Sequence, residues 1–325
     1  MALGVHVNTI LRGTQMSDGK FRLVTRSDFD GLVCAALFKE MDMIDEIKFV
    51  HPKDMQDGTI LISEKDITTN LPYVKGVHLA FDHHSSENIR LAEVPDNHIN
   101  DAAAPSAARV VYEHYGGKEV YPDTFEDLLV AVDKCDSAQF SQEDIINPQG
   151  WVLLNFIMDP RTGLGRYKDF RVSNYQLMME LIDYCRSHAI DEILALPDIK
   201  ERVELYMEQH ENFQEQVKRC TVIHGNLVLL DLREEDIIYA GNRFVVYALF
   251  PEINISVHLI WGLNRLNMVF AVGKSVINRT SNTNIGKLML KYGGGGHRNA
   301  GTCQVDIDDA ERVQQELIEK ITADG

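Results

Sequence analysis

The stretch that decides the fold is residues 77–84, which read Val-His-Leu-Ala-Phe-Asp-His-His. An apolar run ends there at three adjacent metal-type ligands, Asp82, His83 and His84. A buried parallel strand has this kind of run, and α/β folds place their chemistry at the carboxyl ends of such strands. Two imidazoles beside a carboxylate suit a divalent transition metal such as Mn, Zn or Fe. We therefore predict a parallel-sheet domain with a metal site after this strand.

A second strand is predicted over Phe21–Thr25, and a helix is predicted over Leu32–Met41. The turn between them holds Asp28 and Asp30, and Gly31 allows its backbone to fold tightly. Alternate residues on a turn can direct two carboxylates at one cation or at two neighbouring cations. The turn therefore predicts part of a metal site, although Asp and Gly are also ordinary turn residues.

Carboxylates also follow two further apolar runs. One strand is predicted over Thr59–Ser63, with Glu64 and Asp66 after it, and another over Leu128–Val132, with Asp136 close behind. Because the carboxyl ends of parallel strands share one edge of the sheet, these residues are expected to converge. A single Asp in such a position is more often a helix N-cap or a turn residue. Four such segments together favour a shared metal centre.

These motifs resemble the DHH phosphoesterase family, which takes its name from the Asp-His-His triplet. The family also carries an Asp-x-Asp-Gly turn, matched at 28–31, and a lone Asp after the next strand, for which Asp66 is chosen. A segment similar to Asp-Thr-Gly-x-Phe stands at 136–140 as Asp-Ser-Ala-Gln-Phe. The run Gly-Gly-Gly-Gly-His at 293–297 is similar to the family's glycine-rich His motif. The resemblance therefore includes motifs in both halves of the chain.

The resemblance implies a metal-dependent phosphoesterase with Mn²⁺ as its cofactor. The implied metal ligands, with Glu64 as the alternative to Asp66, are Asp28, Asp30, Asp66, His83 and Asp136. Asp82 and His84 are implied catalytic groups that support the ligands or face the substrate. Adjacent residues on a turn cannot all point inward, so these two are not expected to bind the metal themselves.

One position departs from the family pattern. Family members carry a metal-binding His shortly before the Asp-x-Asp turn, where this chain has Val24 and Arg26. A guanidinium stays protonated and repels a cation. A water can fill the gap, one metal can bind alone, or catalysis can be lost, and these outcomes stay open. Arg26 can also hold a substrate phosphate through two hydrogen bonds, or it can form a salt bridge with a neighbouring Asp.

The glycine run near the C-terminus has a physical explanation of its own. Apolar spacing from residue 285 to 289 predicts a helix that ends near Tyr292, after which Gly293 can adopt the left-handed cap conformation. The following glycines offer bare amides to a phosphate, and His297 can donate to a phosphate oxygen or steady a leaving group. His297 is thus predicted to be catalytic as well as substrate-binding. The predicted substrate-binding residues are Arg26, Arg279, Gly294, Gly295, Gly296 and His297.

The predicted fold class is α/β, in two domains joined by a helix. We predict a parallel-sheet DHH phosphoesterase domain over 1–190, a helical linker over 191–221, and a smaller DHH-associated substrate-binding domain over 222–325. The linker rests on an apolar stripe at helical spacing between Val203 and Cys220, in which His210 is a packing residue. The last domain is expected to hold a mixed or antiparallel sheet. Its predicted strands are 226–231, 244–248, 255–261 and 268–272.

Composition limits the classes of partner. The 325 residues are 45% hydrophobic and 25% charged, which is typical of a globular protein. A net charge of −17 argues against broad binding of long nucleic acid, but a metal site can still attract a small anion. We find no membrane-spanning stretch and no secretory signal, so the predicted location is the cytoplasm. The five separated cysteines form no zinc pattern. A homodimer is left open.

The predicted function is hydrolysis of a phosphodiester, phosphomonoester or phosphoanhydride bond in a small nucleotide or short oligonucleotide. The expected partner is therefore a small phosphorylated substrate, without a membrane or long nucleic acid. An exopolyphosphatase-like enzyme is the alternative within the same class. A noncatalytic nucleotide- or phosphate-binding protein with a degenerate metal site is the alternative from another class.

Overall fold

A computed structural model describes the protein over residues 19–84, 87, 90, 91, 93–167 and 169–325, and these residues form two compact units. The first unit contains the described residues up to Gln139, together with Gly150–Asp159 and Asp169–Lys200. The second unit contains Phe140–Gln149, residues 160–167 and Glu201–Gly325. Short segments near residues 140–168 therefore alternate between the units. The predicted domain boundaries at 190 and 221 stay a prediction.

The first unit is built on a five-stranded sheet in which every pair of neighbours is parallel. Its strand order is β2-β1-β3-β4-β5. The strands are β1 Phe21–Arg26, β2 Ile44–Val50, β3 Asp66–Thr69, β4 Leu79–Asp82 and β5 His98–Asn100. The α/β class and the parallel sheet predicted from the sequence are confirmed. The carboxyl ends of β1, β3 and β4 therefore meet at one edge, as parallel pairing requires.

Helices cover the sheet, and the first of them is buried on every side. The α-helices whose bounds are described are, in chain order, α1 Phe29–Glu40, α2 Pro52–Gln56, α3 Ala107–His114, α4 Thr124–Asp136, α5 Gln142–Ile146, α6 Gly150–Met158, α7 Asn174–Ser187, α8 Ile190–Ala195, α9 Pro197–Arg219, α10 Val245–Leu249, α11 Ile285–Leu290 and α12 Ala310–Asp324. In α1, every residue from Phe29 to Phe38 is buried, and the helix contacts α3, α4 and α7. An apolar surface all round is typical of such a central helix. It holds the Asp-x-Asp turn rigidly at the sheet edge.

The second unit contains a mixed six-stranded sheet. Its order is β10-β11-β9-β8-β7-β6, and only the β7–β8 pair among these is parallel. The strands are β6 Thr221–His224, β7 Leu227–Asp231, β8 Ile255–Trp261, β9 Met268–Lys274, β10 Gly295–Gly296 and β11 Ala300–Val305. Apolar side chains of β7, β8 and β9 pack with α11 and α12 in one core. The predicted mixed or antiparallel sheet is confirmed.

Three predicted strands were wrong. Leu128–Val132 lies inside α4, where Leu128, Leu129 and Val132 are buried at helical spacing. Residues 244–248 mostly belong to helix α10. Short apolar runs fit a buried helix as well as a buried strand, so their length could not separate the two. Thr59–Ser63 forms no strand, although Ile60 and Ile62 pack against the core beside β1.

No helix in the described ranges is both long enough and apolar enough to cross a membrane.

Candidate active site

Three of the predicted metal ligands come together in the first unit. They are Asp30 in the first turn of α1, His83 just after β4, and Asp136 at the end of α4. One ligand atom from each lies within 4.8 Å of the other two. His83 Nε2 is 3.2 Å from Asp136 Oδ2 and 4.0 Å from Asp30 Oδ2. An imidazole and two carboxylates from three separate elements thus surround one small space.

The ring of His83 is oriented as a metal-binding histidine requires. Its Nδ1 lies 3.3 Å from the carbonyl oxygen of Ala104, to which it can donate. The other nitrogen, Nε2, is buried and faces the carboxylates of Asp136 and Asp30 at 3.2 and 4.0 Å. A histidine ligand usually donates one ring N–H to such a carbonyl, which leaves the second nitrogen free to bind the ion. The residues present therefore fit a divalent ion such as Mn²⁺ or Zn²⁺.

Backbone amides hold Asp30 in place. Its side chain is buried, and its two oxygens accept hydrogen bonds from Ala107 N at 3.0 Å and Ala108 N at 2.8 Å. These amides begin α3, and the amino end of a helix favours a negative charge. Burial and the neighbouring Asp136 nevertheless raise the pKa of Asp30 well above its ordinary value. A bound cation would offset that cost, because it favours the ionised carboxylate.

The carboxylates beside His83 favour its protonated form. Burial lowers the pKa of His83, but Asp136 and Asp30 raise it by more, to about 9. The two carboxylates that face His83 Nε2 therefore favour the charged imidazolium at neutral pH. An incoming metal ion must displace this proton, because a ligating imidazole is neutral.

Asp136 lies where the helix dipole does not favour it. It is the last residue of α4, and a carboxylate at the carboxyl end of a helix meets the negative end of the macrodipole. Two residues later Ala138 has a φ of 51°, in the left-handed region that favours glycine. Both unfavourable features occur beside the carboxylate that faces His83. Local strain of this kind is typical of functional sites.

Asp28 does not join the three-residue cluster. Its Oδ1 caps α1 by accepting from Gly31 N at 3.0 Å, and the same oxygen accepts from Asn70 Nδ2 at 3.3 Å. Its Oδ2 lies 2.9 Å from Arg26 Nε. The guanidinium therefore stands beside the Asp of this turn that is not part of the cluster. Gly31 is needed because a Cβ there would lie 2.0 Å from the carbonyl oxygen of Arg26.

Asp66 lies at the opposite end of the sheet from the cluster, which corrects its predicted position. It is the first residue of β3, whereas the site stands where the parallel strands end. Its buried carboxylate accepts from Arg22 Nε at 2.7 Å and from Ser63 N at 2.6 Å. The error follows from the misplaced strand over residues 59–63. The alternative ligand, Glu64, precedes β3 as well.

Asn70 occupies the position that was expected to carry a carboxylate. It directly follows β3, has a φ of 55°, and is buried. Its Nδ2 contacts Asp28, while its Oδ1 has no hydrogen-bond partner among the described residues. Asn adopts left-handed geometry more readily than most residues, which fits this turn. In the sequence, the β-branched run at 67–69 before Asn-Leu-Pro would have indicated this strand and the residue that follows it.

Asp82 and His84 form a hydrogen-bonded pair beside the cluster. Asp82 Oδ1 lies 2.7 Å from His84 Nδ1 and also accepts from His83 N at 2.9 Å. Asp82 is buried, and its hydrogen bond raises the pKa of the partly exposed His84 imidazole. A carboxylate that fixes one ring nitrogen leaves the other available for proton transfer. The pair can therefore orient an acid or base beside the three-residue cluster.

Comparison with known proteins identifies the family. No family model and no curated protein sequence matches the chain. A solved structure of the pGpG-specific phosphodiesterase PggH from Vibrio cholerae is 59% identical, with a TM-score of 0.86. The match covers 94% of this chain and 100% of that one. The chain belongs to the DHH phosphoesterase family. The predicted phosphoesterase activity is confirmed at the level of this enzyme class.

More distant structures share the fold of this DHH phosphoesterase. RecJ from Thermus thermophilus, solved with Mn²⁺, is 14% identical with a TM-score of 0.58. That match covers 99% of this chain and 54% of RecJ. CDC45 from Entamoeba histolytica is 8% identical with a TM-score of 0.52, and the match covers 99% of both chains. Both likenesses show the fold alone.

The glycine-rich motif of this DHH phosphoesterase lies in the second unit. Gly293 has a φ of 73° and follows α11, as the predicted cap requires. A Cβ on Gly294 would lie 2.1 Å from Thr302 O, and one on Gly296 would lie 2.3 Å from Ala300 O. Close packing within the β10–β11 hairpin therefore explains both of these glycines. Gly295 is different, because a Cβ there would meet nothing within 4 Å.

The two other predicted contacts of the second unit are exposed. His297 lies in the β10–β11 hairpin, where its backbone N–H donates to Ala300 O at 2.7 Å. Arg279 follows β9 and donates from Nε to the carbonyl oxygen of Val276 at 3.1 Å. Their substrate-binding roles stay a prediction.

His210, predicted to be a packing residue, is buried and bonds through Nε2 to Ile146 O.

Proposed function

We propose that this enzyme hydrolyses pGpG or a closely similar short dinucleotide. The observation that carries the proposal is 59% identity, over nearly the whole chain, to a phosphodiesterase described as specific for pGpG. In the proposed reaction, the oxygen of a water bonds to phosphorus while the bond between phosphorus and the 3′ oxygen breaks. The leaving 3′ oxygen gains a proton, so the products are two mononucleotides.

We propose that Asp30, His83 and Asp136 hold one catalytic ion, with Mn²⁺ as the preferred occupant. The position of the buried His83 Nε2 between the two carboxylates supports this assignment. A bound ion would lower the pKa of a water and offset charge on the phosphate. We further propose that no second catalytic ion binds at Asp28, because its charge is already matched by Arg26 at 2.9 Å.

Arg26 is proposed to hold the substrate phosphate. Its side chain is partly exposed, and the bond to Asp28 uses Nε, so the terminal guanidinium nitrogens can face an anion. A fixed guanidinium recognises phosphate through paired N–H donors. It would supply, without a second metal, part of the positive charge that the reacting phosphate needs.

Asp82 and His84 are proposed to handle the proton of the leaving group. The Asp82 carboxylate favours the charged imidazole of His84, which can then donate a proton.

Gly295 and His297, together with Arg279, are proposed to contact another part of the substrate. The open space at Gly295 and the exposure of His297 support this role. A cytoplasmic location and a homodimer remain predictions.

A substrate panel tests this proposal. The Mn²⁺-loaded enzyme should hydrolyse pGpG faster than a longer oligoribonucleotide, a phosphomonoester or polyphosphate, with the products separated by chromatography. His83→Ala serves as the control for a contaminating hydrolase. Turnover of polyphosphate alone would support the exopolyphosphatase-like alternative. Binding of pGpG without any hydrolysis would support the noncatalytic alternative, and either result would overturn the proposal.

A further inference from the structure

A second group of metal-type ligands lies apart from Asp30 and Asp136 in the first unit. It consists of Asp82, Glu87 and His98, all of them buried. One ligand atom from each lies within 4.8 Å of the other two. Asp82 ends β4, and His98 opens the neighbouring strand β5 opposite Ala80. Ala80 and Asp82 share a face of the pleated strand, so His98 and Asp82 lie on the same side of the sheet.

His98 is the observation that points to a ligand. Its side chain belongs to a residue only 5% exposed, yet neither Nδ1 nor Nε2 has a hydrogen-bond partner in the described part of the chain. A buried polar group without a partner is costly, so native structures rarely leave one. Burial also lowers the pKa of His98, although Asp82 and Glu87 act in the opposite direction. The neutral ring is the form that binds metal ions.

Glu87 is already held as a ligating carboxylate would be. Tyr73 N donates to its Oε2 at 2.9 Å, and Arg90 Nε donates to its Oε1 at 2.8 Å. Arg90 Nη2 also donates to Oε2, so these contacts orient Glu87 and leave acceptor capacity on Oε1, since a carboxylate oxygen can accept two bonds. Arg90 offsets one of the two negative charges. Asp82 carries the other negative charge, which it shares with the His84 imidazole at 2.7 Å.

We propose that Asp82, Glu87 and His98 bind a structural divalent transition-metal ion, of which Zn²⁺ is the model. Two carboxylates and one imidazole are an established donor set for Zn²⁺ and Mn²⁺. All three ligands are buried, so the ion would be held out of bulk solvent, with a fourth coordination position left for a water. The ion would fix Asp82, which in turn orients His84 at 2.7 Å. The proposal does not depend on the identity of the substrate.

Ion counting by native mass spectrometry tests this second site. Metal-free protein is loaded with Zn²⁺, and weakly held ions are removed by a chelator of micromolar affinity. The unmodified chain should retain two ions, and His98→Gln and His83→Ala should each retain one. His78→Gln is the matched control, because His78 is a half-buried imidazole directly before β4 whose Nε2 is also unpartnered among the described residues. It should retain two ions.

The expected loss at the second site is large. Removing a ligand should weaken binding by more than the roughly 10–100-fold that loss of an outer-shell partner causes. If circular dichroism shows that His98→Gln is unfolded, Glu87→Gln replaces it in the count. Equal counts for the unmodified chain and His98→Gln would overturn the proposal, as would a single ion that His83→Ala removes. Hydrolysis of pGpG is measured separately, so failure of either proposal is recognised independently.

Discussion

Metal binding at the catalytic cluster should depend steeply on pH. His83 holds a proton with a pKa of about 9 in the metal-free protein, above the ordinary value of 6.5. Because the ion must displace that proton, apparent affinity falls about tenfold at pH 8 and about a thousandfold at pH 6, relative to the deprotonated site. The His83 proton alone should therefore weaken Mn²⁺ binding roughly 100-fold when the pH falls from 8 to 6. The raised pKa of Asp30 acts in the same direction.

Calorimetric titration of the metal-free protein with Mn²⁺ measures this dependence. The His98→Gln variant is used, so that only the catalytic cluster is counted, and ionic strength is held constant between pH 6 and pH 8. Repeating the titration in buffers with different ionisation enthalpies should reveal about one proton released per ion from His83 near neutral pH. An affinity that changes less than about threefold over this range would refute the assignment of His83 as a protonated, displaceable ligand.

Three substitutions test other parts of the site. Arg26→Ala should raise KM for pGpG by about 10–100-fold, because the variant loses one or two hydrogen bonds to a charged phosphate, and its Mn²⁺ content should be unchanged. An unchanged KM would exclude a phosphate contact. Asp66→Asn should lower the free energy of unfolding by about 2–3 kcal/mol, because the contact with Arg22 is lost, and the variant should retain the ion. Loss of the ion would restore Asp66 as a ligand. Ala138→Gly should raise the free energy of unfolding, measured in urea, by about 1 kcal/mol, because the φ of 51° at this position favours glycine. A lower urea midpoint would contradict backbone strain at Ala138.

Much of the site could be predicted because its signals are local. The apolar run before Asp82 and the Asp-x-Asp-Gly turn at 28–31 each identify a strand end within a few residues. Asp30, His83 and Asp136 were therefore named correctly as neighbours. Asp136 was correctly predicted to be a neighbour, but it ends a helix, whereas the sequence analysis placed it after a strand. The helix and the strand both bring the chain to the same edge of the sheet.

The rest could not be predicted, for three physical reasons. The strand was predicted over residues 59–63, but β3 lies at residues 66–69. Asp66 was therefore expected after the strand, at the position that Asn70 occupies, whereas it is the first residue of the strand. Backbone groups such as the Ala104 carbonyl carry no signature in residue type. The grouping of His98 with Asp82 depends on strand pairing between β4 and β5, which no local pattern encodes. Tertiary contacts decide these features.

The most direct measurement is pGpG hydrolysis by metal-free enzyme as Mn²⁺ is added back, with His83→Ala and His78→Gln measured in parallel. Asp30, His83 and Asp136 are proposed to bind the ion on which the reaction depends. Activity should be absent without metal, rise as this site fills, and stay absent in His83→Ala at the same Mn²⁺ concentration. His78→Gln, remote from the cluster, should follow the unmodified enzyme. Hydrolysis by the metal-free protein, or undiminished turnover in His83→Ala, would contradict the central role of this cluster.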